Sequence, residues 1–569
     1  MTTDELRRRL VEWIALDPDP DDEEALVGLL NNLDEGRDTD ALEQLFSAPE
    51  LNFGTAGLRG PMQPGPGGMN RANVRFATLG VLGWMKETGL DPSKGVVVGR
   101  DGRRNSESFN DEVVRVLLGG GVRVFEMPGP LPTPLVAYCV KALSAAAGIM
   151  VTASHNPPND NGYKLYASDG AQIIPPDDEI VERHMRLAIT NALGDRGARD
   201  VLDASLGDRS SSLHSYIADS VLGDYRAHLA ERFGVPKGEE LAITYTPLHG
   251  VGGVPMTQLF AEAGYVNVTT VAGQFEPDGS FPTLPFPNPE EPGALDLSIE
   301  TARAANAAVI LANDPDADRL GAAIRVDDDW RVLRGDEIGW LLASSLVEGI
   351  RERGETMATT IVSSTLLEKM AKEHGVPFAT TLTGFKWLAR AAGDGVLGFG
   401  YEEALGFAVD PGVSDKDGMS AALALARLDW ELTARGSSLV GRLDEIEAAY
   451  GVHLTTQLAI RADGADGLAQ LRQKVTELTE HPPTVLGPCE VTEWADLGKG
   501  FRGLRPTDGV WLQLGATGRV VVRPSGTEAK VKAYIEITPP RVDSLEAERA
   551  HAHEVTNGVL ESLRELLSV

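Results

Sequence analysis

Two short stretches hold residue types that do chemistry, each where an apolar run ends. In GIMVTASHNPPNDNGYKLY, Ser154 and His155 stand on a proline-broken, asparagine-rich turn between AGIMVT and GYKLYAS, which read as strands. In Asp314-Pro-Asp316-Ala-Asp318-Arg319, three carboxylates at alternate positions follow the apolar run AAVILAN. Three convergent oxygen ligands suit a hard divalent cation such as Mg2+. An EF-hand fails here, because its sixth and twelfth positions would be Arg319 and Arg325 instead of Gly and Glu. A plain acidic turn is the competing reading, since Asp17-Pro-Asp19-Pro-Asp21 has the same spacing. That copy joins two helical stretches, where capping and dipole effects account for it.

Serine is a weak nucleophile unless a base or a field assists it. The Gly-x-Ser-x-Gly elbow of Ser-His-Asp hydrolases is absent around Ser154, and the adjacent His155 need not face its hydroxyl. If Ser154 carries a phosphoryl group instead, the new charge of about −2 needs a cation nearby, and the aspartate loop can supply one. A Ser/Asn/Pro turn without chemistry is the alternative. Lys164, ten residues after Ser154 and across the turn, is a surface strand lysine or a proton donor or phosphate contact. Arg523-Pro-Ser525-Gly526-Thr527-Glu528 has the spacing of a helix capping box and also the composition of a phosphate site at a helix start. Glu402 and Glu403 in GYEEALGF are paired carboxylates able to accept from sugar hydroxyls, and Ser414-Asp-Lys416-Asp-Gly adds a lysine. No Walker sequence occurs, and the glycines after His249 lack the full dinucleotide fingerprint, so ATP and NAD are not indicated.

These loops need rigid elements behind them, and a strand-helix-strand-helix-strand pattern recurs three times. The first runs from VVVGRD to the serine loop, the second from LAITYTPLHG to the aspartate loop, and the third from TTIVSS to GYEEALGF. Alternating strands and helices imply parallel sheets with ligands beyond the carboxyl ends of the strands. From about residue 450 the rhythm changes to strands read as mostly antiparallel, with one or two helices. The expected fold class is α/β, with three related α/β domains (1–205, 206–325 and 326–450) and a smaller α+β domain (451–569). The Gly/Asp/Ser-rich stretch 191–215 is the expected linker.

The totals narrow the function classes. At 569 residues, several domains are expected, since roughly 150 residues make one. A hydrophobic content of 42% with 24% charged residues is globular composition. The net charge of −32 opposes non-specific binding to nucleic acid or anionic membrane, so a phosphate-bearing ligand must be met by local positive charge. Two distant cysteines, an amphipathic N-terminal stretch without a cleavage site, and no apolar run of about 18 residues point to the cytoplasm.

Taken together and in this order, TASHNPPNDNGYK, DPDADR, GYEEALGF and RPSGTEAK resemble the four signature loops of the α-D-phosphohexomutase superfamily. FGTAGLRG (53–60) resembles the N-terminal motif of its long phosphoglucomutase and phosphopentomutase branch. The resemblance implies a four-domain fold around a central cleft and a phosphosugar mutase. It also implies that Ser154 is phosphorylated and, with Asp314, Asp316 and Asp318, binds Mg2+. Arg59 and Arg319 match active-site arginines, Lys164 a candidate acid/base, and His155 accompanies the catalytic serine. Thr383 with Gly384, Glu402 and Lys416 match sugar or phosphate contacts, and Arg523, Ser525, Gly526 and Thr527 the distal phosphate clamp. Ala404 departs from the pattern, standing where many relatives carry a sugar-binding serine.

The implied reaction transfers the phosphoryl group of phosphoserine 154 to a sugar 1-phosphate, and the bisphosphate turns around and returns the other group. Glucose 1-phosphate and glucose 6-phosphate are the expected pair, with glucose 1,6-bisphosphate as intermediate and activator. Mannose and pentose phosphates are the alternatives. DPDADR also resembles the aspartyl-phosphate loop of haloacid dehalogenase-type phosphatases, in which the first Asp would be the nucleophile, and a non-enzymatic binding module is the third option. Sugar phosphates are the expected partners, and oligomeric state is left open.

Overall fold

The computed structural model describes the chain except residues 1, 38–39, 48–49, 55–56, 194–196, 237–240, 462–463, 525–529, 543 and 569, and the side chains of 44, 47, 464–466 and 468. It divides into two compact units, residues 1–323 with 412–423, and residues 324–411 with 424–569.

The first unit contains a six-stranded sheet built from β1 (Leu58–Pro61), β2 (Val96–Arg100), β3 (Val124–Pro130), β4 (Ala147–Val151), β5 (Asp160–Ala167) and β6 (His214–Tyr216). Their order is β1-β5-β4-β2-β3-β6. The inner strands β4, β2 and β3 run parallel, and β5 returns antiparallel beside β4. VVVG in β2 and AGIMV in β4 are buried throughout, as a strand covered by helices on both faces requires. Helices Ser106–Gly119 and Thr133–Ala142 follow β2 and β3. A second α/β layer has β7 (Ile243–Thr246) parallel to both β8 (Val268–Thr270) and β9 (Val309–Asn313), with β9 fully buried.

The second unit carries the third α/β pattern. Strands Phe378–Thr381, Thr356–Thr360 and Leu397–Glu402 are parallel neighbours in that order, and Gly406–Ala408 closes the edge antiparallel. The unit also holds a five-stranded antiparallel sheet running from Leu454–Arg461 through Lys530–Ile537, Gly518–Pro524 and Val510–Leu514 to Glu493–Asp496. Helix Gly464–Glu480 supplies Leu471, Val475 and Leu478 to its core, and helix Leu545–Leu567 supplies Val555, Val559 and Leu563.

Three local expectations need correction. The stretch 191–215 is not a bare linker: it holds helix Ala198–Ala204, and β6 begins at His214 and pairs parallel with β3. The strand expected at 359–364 is Thr356–Thr360, because Thr360 and Ser363 bond to each other through their hydroxyls (2.9 Å) and turn the chain. The helix expected over FKWLARAAG is the single turn Phe385–Leu388. Among the described residues no helix is long and apolar enough to cross a membrane.

Candidate active site

Strand β4 ends at Val151, and the next residues fold back on themselves. The Ser154 N–H donates to Thr152 Oγ1 (2.9 Å), and Ser154 takes a left-handed backbone with φ +52. Asn156 N–H donates to Ala153 O (3.1 Å) and Asp160 N–H to Pro157 O (3.0 Å), closing the loop before β5 leaves. Pro157 and Pro158 cannot donate to a ladder, so β4 cannot extend through them.

The aspartate loop has the same logic at the end of β9. Arg319 N–H donates to Asp314 Oδ1 (3.0 Å) and Ala317 N–H to Asp314 O (2.8 Å), with Ala317 at φ +54. Asn313 ties the two ends, its Nδ2 donating to Arg319 O (2.7 Å) while its Oδ1 accepts from Tyr245 (2.9 Å). Val251 N–H donates to Pro315 O (2.9 Å), and a Cβ on Gly250 would stand 2.4 Å from Pro315 Cα. Gly250 and Gly252 therefore serve close approach to this loop, a role other than that of a dinucleotide fingerprint.

The two loops meet within the first unit. Ser154 Oγ donates to Asp314 Oδ2 (2.8 Å) and lies 3.2 Å from His155 Nδ1. Lys164 Nζ donates to Asp316 Oδ2 (2.7 Å) and Asp318 Oδ2 (2.8 Å), and Lys416 Nζ stands 2.9 Å from Asp318 Oδ2. Arg319 Nε lies 4.0 Å from Asp314 Oδ2, and Arg59 Nη1 donates to Asn156 Oδ1 (3.2 Å) in the serine loop.

Ser154 and the three aspartates are buried. Ligand oxygens of Asp314, Asp316 and Asp318 lie within 4.8 Å of one another, and Oδ1 of both Asp316 and Asp318 is buried without a hydrogen-bond partner. Buried orphan carboxylate oxygens are costly unless a cation meets them. This all-oxygen donor set fits a hard divalent ion.

The electrostatics follow from burial and charge. Burial, and then the neighbouring Asp316 and Asp318, push the Asp314 carboxyl well above the usual carboxylate range. Burial acts the same way on Asp316, but the Lys164 ammonium outweighs it and holds this carboxyl below its ordinary value. Burial disfavours the Lys164 charge, yet Asp316 and Asp318 more than compensate and raise its pKa. Lys164 is thus a held ammonium hydrogen-bonded to Asp316 and Asp318. Burial, then Arg319 and Arg59, lower His155 well below 6.5, which leaves a neutral imidazole beside the serine hydroxyl.

In the second unit, Gly384 at φ +116 donates its N–H to Glu402 Oε1 (2.7 Å). Thr383 precedes it, its buried Oγ1 without a partner among the described residues. Glu403 is turned to the scaffold, accepting from Ser363 Oγ (2.8 Å), so of the expected carboxylate pair only Glu402 is left to the Thr383-Gly384 side. Ala404, partly buried, lies in the turn between strands Leu397–Glu402 and Gly406–Ala408. Arg523 sits near the end of strand Gly518–Pro524, while Ser525, Gly526 and Thr527, and with them the capping-box reading, lie outside the described residues.

The sequence reading missed two residues of this site. Thr133 Oγ1 donates to Asp316 Oδ2 (2.6 Å), and its N–H donates to Asp316 O (2.9 Å). Arg103, buried, donates to backbone carbonyls of the serine loop. The bland reading of the Asp17 copy holds, since Asp19 caps helix Pro20–Asp34 by accepting from Asp21 N–H (3.1 Å).

Comparison with known proteins follows the same division of the chain. Family models for phosphoglucomutase/phosphomannomutase match as alpha/beta/alpha domain I (50–190), domain II (223–327) and domain III (334–446), and as the C-terminal domain (489–552). A Haemophilus influenzae protein described as "Probable phosphomannomutase" is 37% identical over 504 residues, covering 88% of this chain and 98% of its own. The Mus musculus phosphopentomutase is 33% identical over 574 residues, covering 94% of this chain and 90% of its own. The crystal structure of pp63/parafusin from Paramecium, titled a phosphoglucomutase, superposes with a TM-score of 0.68 at 17% identity, covering 91% and 94% of the two chains. Matched in all four of its domains, the chain belongs to the phosphoglucomutase/phosphomannomutase family, whose named members are mutases that move phosphate within sugars.

Proposed function

We propose that this chain is a phosphosugar mutase in which Ser154 carries the phosphoryl group between substrate positions. The observation that supports it most directly is the Ser154 Oγ to Asp314 Oδ2 hydrogen bond at 2.8 Å, which joins a lone nucleophile to the buried carboxylate cluster. In one half-reaction the phosphorus–Oγ bond of phosphoserine breaks as a bond to a sugar hydroxyl oxygen forms. The hydroxyl proton is released into the site and Oγ takes one up, leaving a free serine and a bisphosphate. The reverse half-reaction returns the other phosphoryl group to Oγ. Asp314, Asp316 and Asp318 would hold a divalent cation such as Mg2+, which when bound neutralises charge on the transferring group. Lys164, Arg319 and Arg59 add fixed positive charge beside Ser154, where phosphoryl oxygens would lie. Neutral His155 can accept a hydrogen bond.

The roles of Thr383, Gly384, Glu402 and Lys416 in holding the sugar, and of Arg523, Ser525, Gly526 and Thr527 in holding the far phosphate, belong to the same reading. So do domain limits near 205, 325 and 450. Glucose 1-phosphate and glucose 6-phosphate are the pair we put first, with glucose 1,6-bisphosphate as intermediate. A pentose phosphate is the second reading. Ala404 offers no hydroxyl to a hexose, and a phosphopentomutase matches over 94% of this chain. Comparing kcat/KM for glucose, mannose and ribose 1-phosphates with Mg2+ and sugar bisphosphate, against a Ser154→Ala control, tests the proposal. A serine-dependent preference for glucose supports the first reading, a preference for ribose the second, and turnover that survives Ser154→Ala contradicts both.

A further inference from the structure

We propose that Arg103 is the positioning residue that sets where the Ser154 hydroxyl stands, an inference that rests on the phosphoserine reading above. A serine with φ +52 stands in a backbone region that L-residues other than Asn and Asp seldom hold, so something outside residue 154 must fix it. One guanidinium does so. Nη2 of Arg103 donates to the carbonyls of Ser154 (2.5 Å) and Asn156 (2.6 Å), and Nη1 to those of Pro157 (2.8 Å) and Asp160 (3.2 Å). Four carbonyls of one loop therefore converge on a single fork.

Arg103 is itself placed by Asp101 and Phe281. Arg103 N–H donates to Asp101 Oδ1 (3.0 Å), and its Nε stands 3.4 Å from Asp101 Oδ2. Its Cζ lies 4.9 Å from the ring centroid of Phe281, which is buried and belongs to the segment after β8. That segment reaches back to the aspartate loop, because Asp278 N–H donates to His249 O (3.0 Å) and His249 is followed by Gly250, packed on Pro315. Arg103 thus references the serine loop to the same framework that carries Asp314.

A planar guanidinium with five donors can satisfy four carbonyls at once, whereas an ammonium with three rotatable donors cannot reproduce the fork. Arg103→Lys keeps the charge and loosens only the geometry. Displacing a reacting group by about 1 Å costs roughly 100-fold in rate. In the full-length chain with Mg2+, Arg103→Lys is expected to slow single-turnover phosphoryl transfer from phosphoserine 154 about 100-fold, with KM for the sugar phosphate changed less than about threefold. A folded Arg103→Lys protein with transfer within about threefold of the wild type, or one impaired only in KM, overturns the inference. If that variant fails to fold, Phe281→Leu decides, since it removes the flat seat and leaves Arg103 in place. About a tenfold loss in transfer at unchanged KM is expected, and unchanged transfer, or a second failure to fold, overturns the positioning role. Wild-type chain that shows no Ser154-dependent transfer defeats the phosphoserine reading itself, and this inference with it.

Discussion

At the residue scale, the site works by satisfying buried charge with opposite charge. A neutral donor adds to this, because the Thr133 hydroxyl holds Asp316 Oδ2 at 2.6 Å. Partners that orient a metal ligand are typically worth 10–100-fold in metal affinity. Thr133→Val, which keeps the shape and removes the donor, is expected to weaken Mg2+ binding by roughly that factor, read as a rightward shift in the Mg2+ dependence of turnover. An unshifted titration would mean that Lys164 holds Asp316 without help. Ser154, His155, Lys164 and the aspartates could be singled out in the sequence because they stand in motifs that resemble signature loops, and the structure brings them together. Thr133 and Arg103 could not, because their partners lie 183 and 51–57 residues away and nothing in a lone Thr or Arg names its acceptor.

At the element scale, one buried carboxylate in the second unit ties strand Lys530–Ile537 to the turn after Thr356–Thr360. Glu536 Oε1 accepts from Ser364 Oγ (2.8 Å), Thr365 N–H (2.8 Å) and His453 Nδ1 (2.8 Å), and Oε2 from Arg519 Nε (2.8 Å). Arg519 also donates to the carbonyls of Ile361 and Ser363, and Ser363 carries Glu403 of the GYEEALGF turn. Burial alone would raise the Glu536 carboxyl, but Arg519 and the His453 hydrogen bond outweigh it and hold it well below 4.5. A depressed carboxyl pKa stabilises the fold above its unfolded value, and that contribution is lost as pH falls below about 4.5. Glu536→Gln is expected to cost about 3–5 kcal/mol at neutral pH, and its melting temperature should fall less steeply than the wild type's on acidification. Parallel melting curves across that range would contradict this role.

The three strand-helix repeats were readable because fully buried strands such as VVVG and VILAN leave unbroken apolar runs. The stretch 191–215 misled because Gly, Asp and Ser favour helix caps and turns as well as linkers. His214 pairs with Val124 and also bonds Glu126 at 2.7 Å, contacts that composition does not announce.

For the whole molecule, the balance is between a chain of net charge −32 and a site where lysine and arginine gather around four acidic or phosphorylatable groups. A net charge of −32 opposes binding of polyanions, and under the proposed function an anionic sugar phosphate would be met where Lys164, Lys416, Arg59 and Arg319 concentrate positive charge. Family membership rests on all four matched segments together and was legible in the sequence, whereas sugars that differ by one hydroxyl or by ring size leave no comparable signature in it. The central claim is that Ser154 carries the phosphoryl group. The most direct measurement labels the chain with 32P-sugar bisphosphate and maps the modified residue after acid and hydroxylamine treatment. Acid-stable, hydroxylamine-resistant label on Ser154 that chases into sugar 1-phosphate is the expected result. A hydroxylamine-labile acyl phosphate on Asp314, with Ser154 unlabelled, would contradict it.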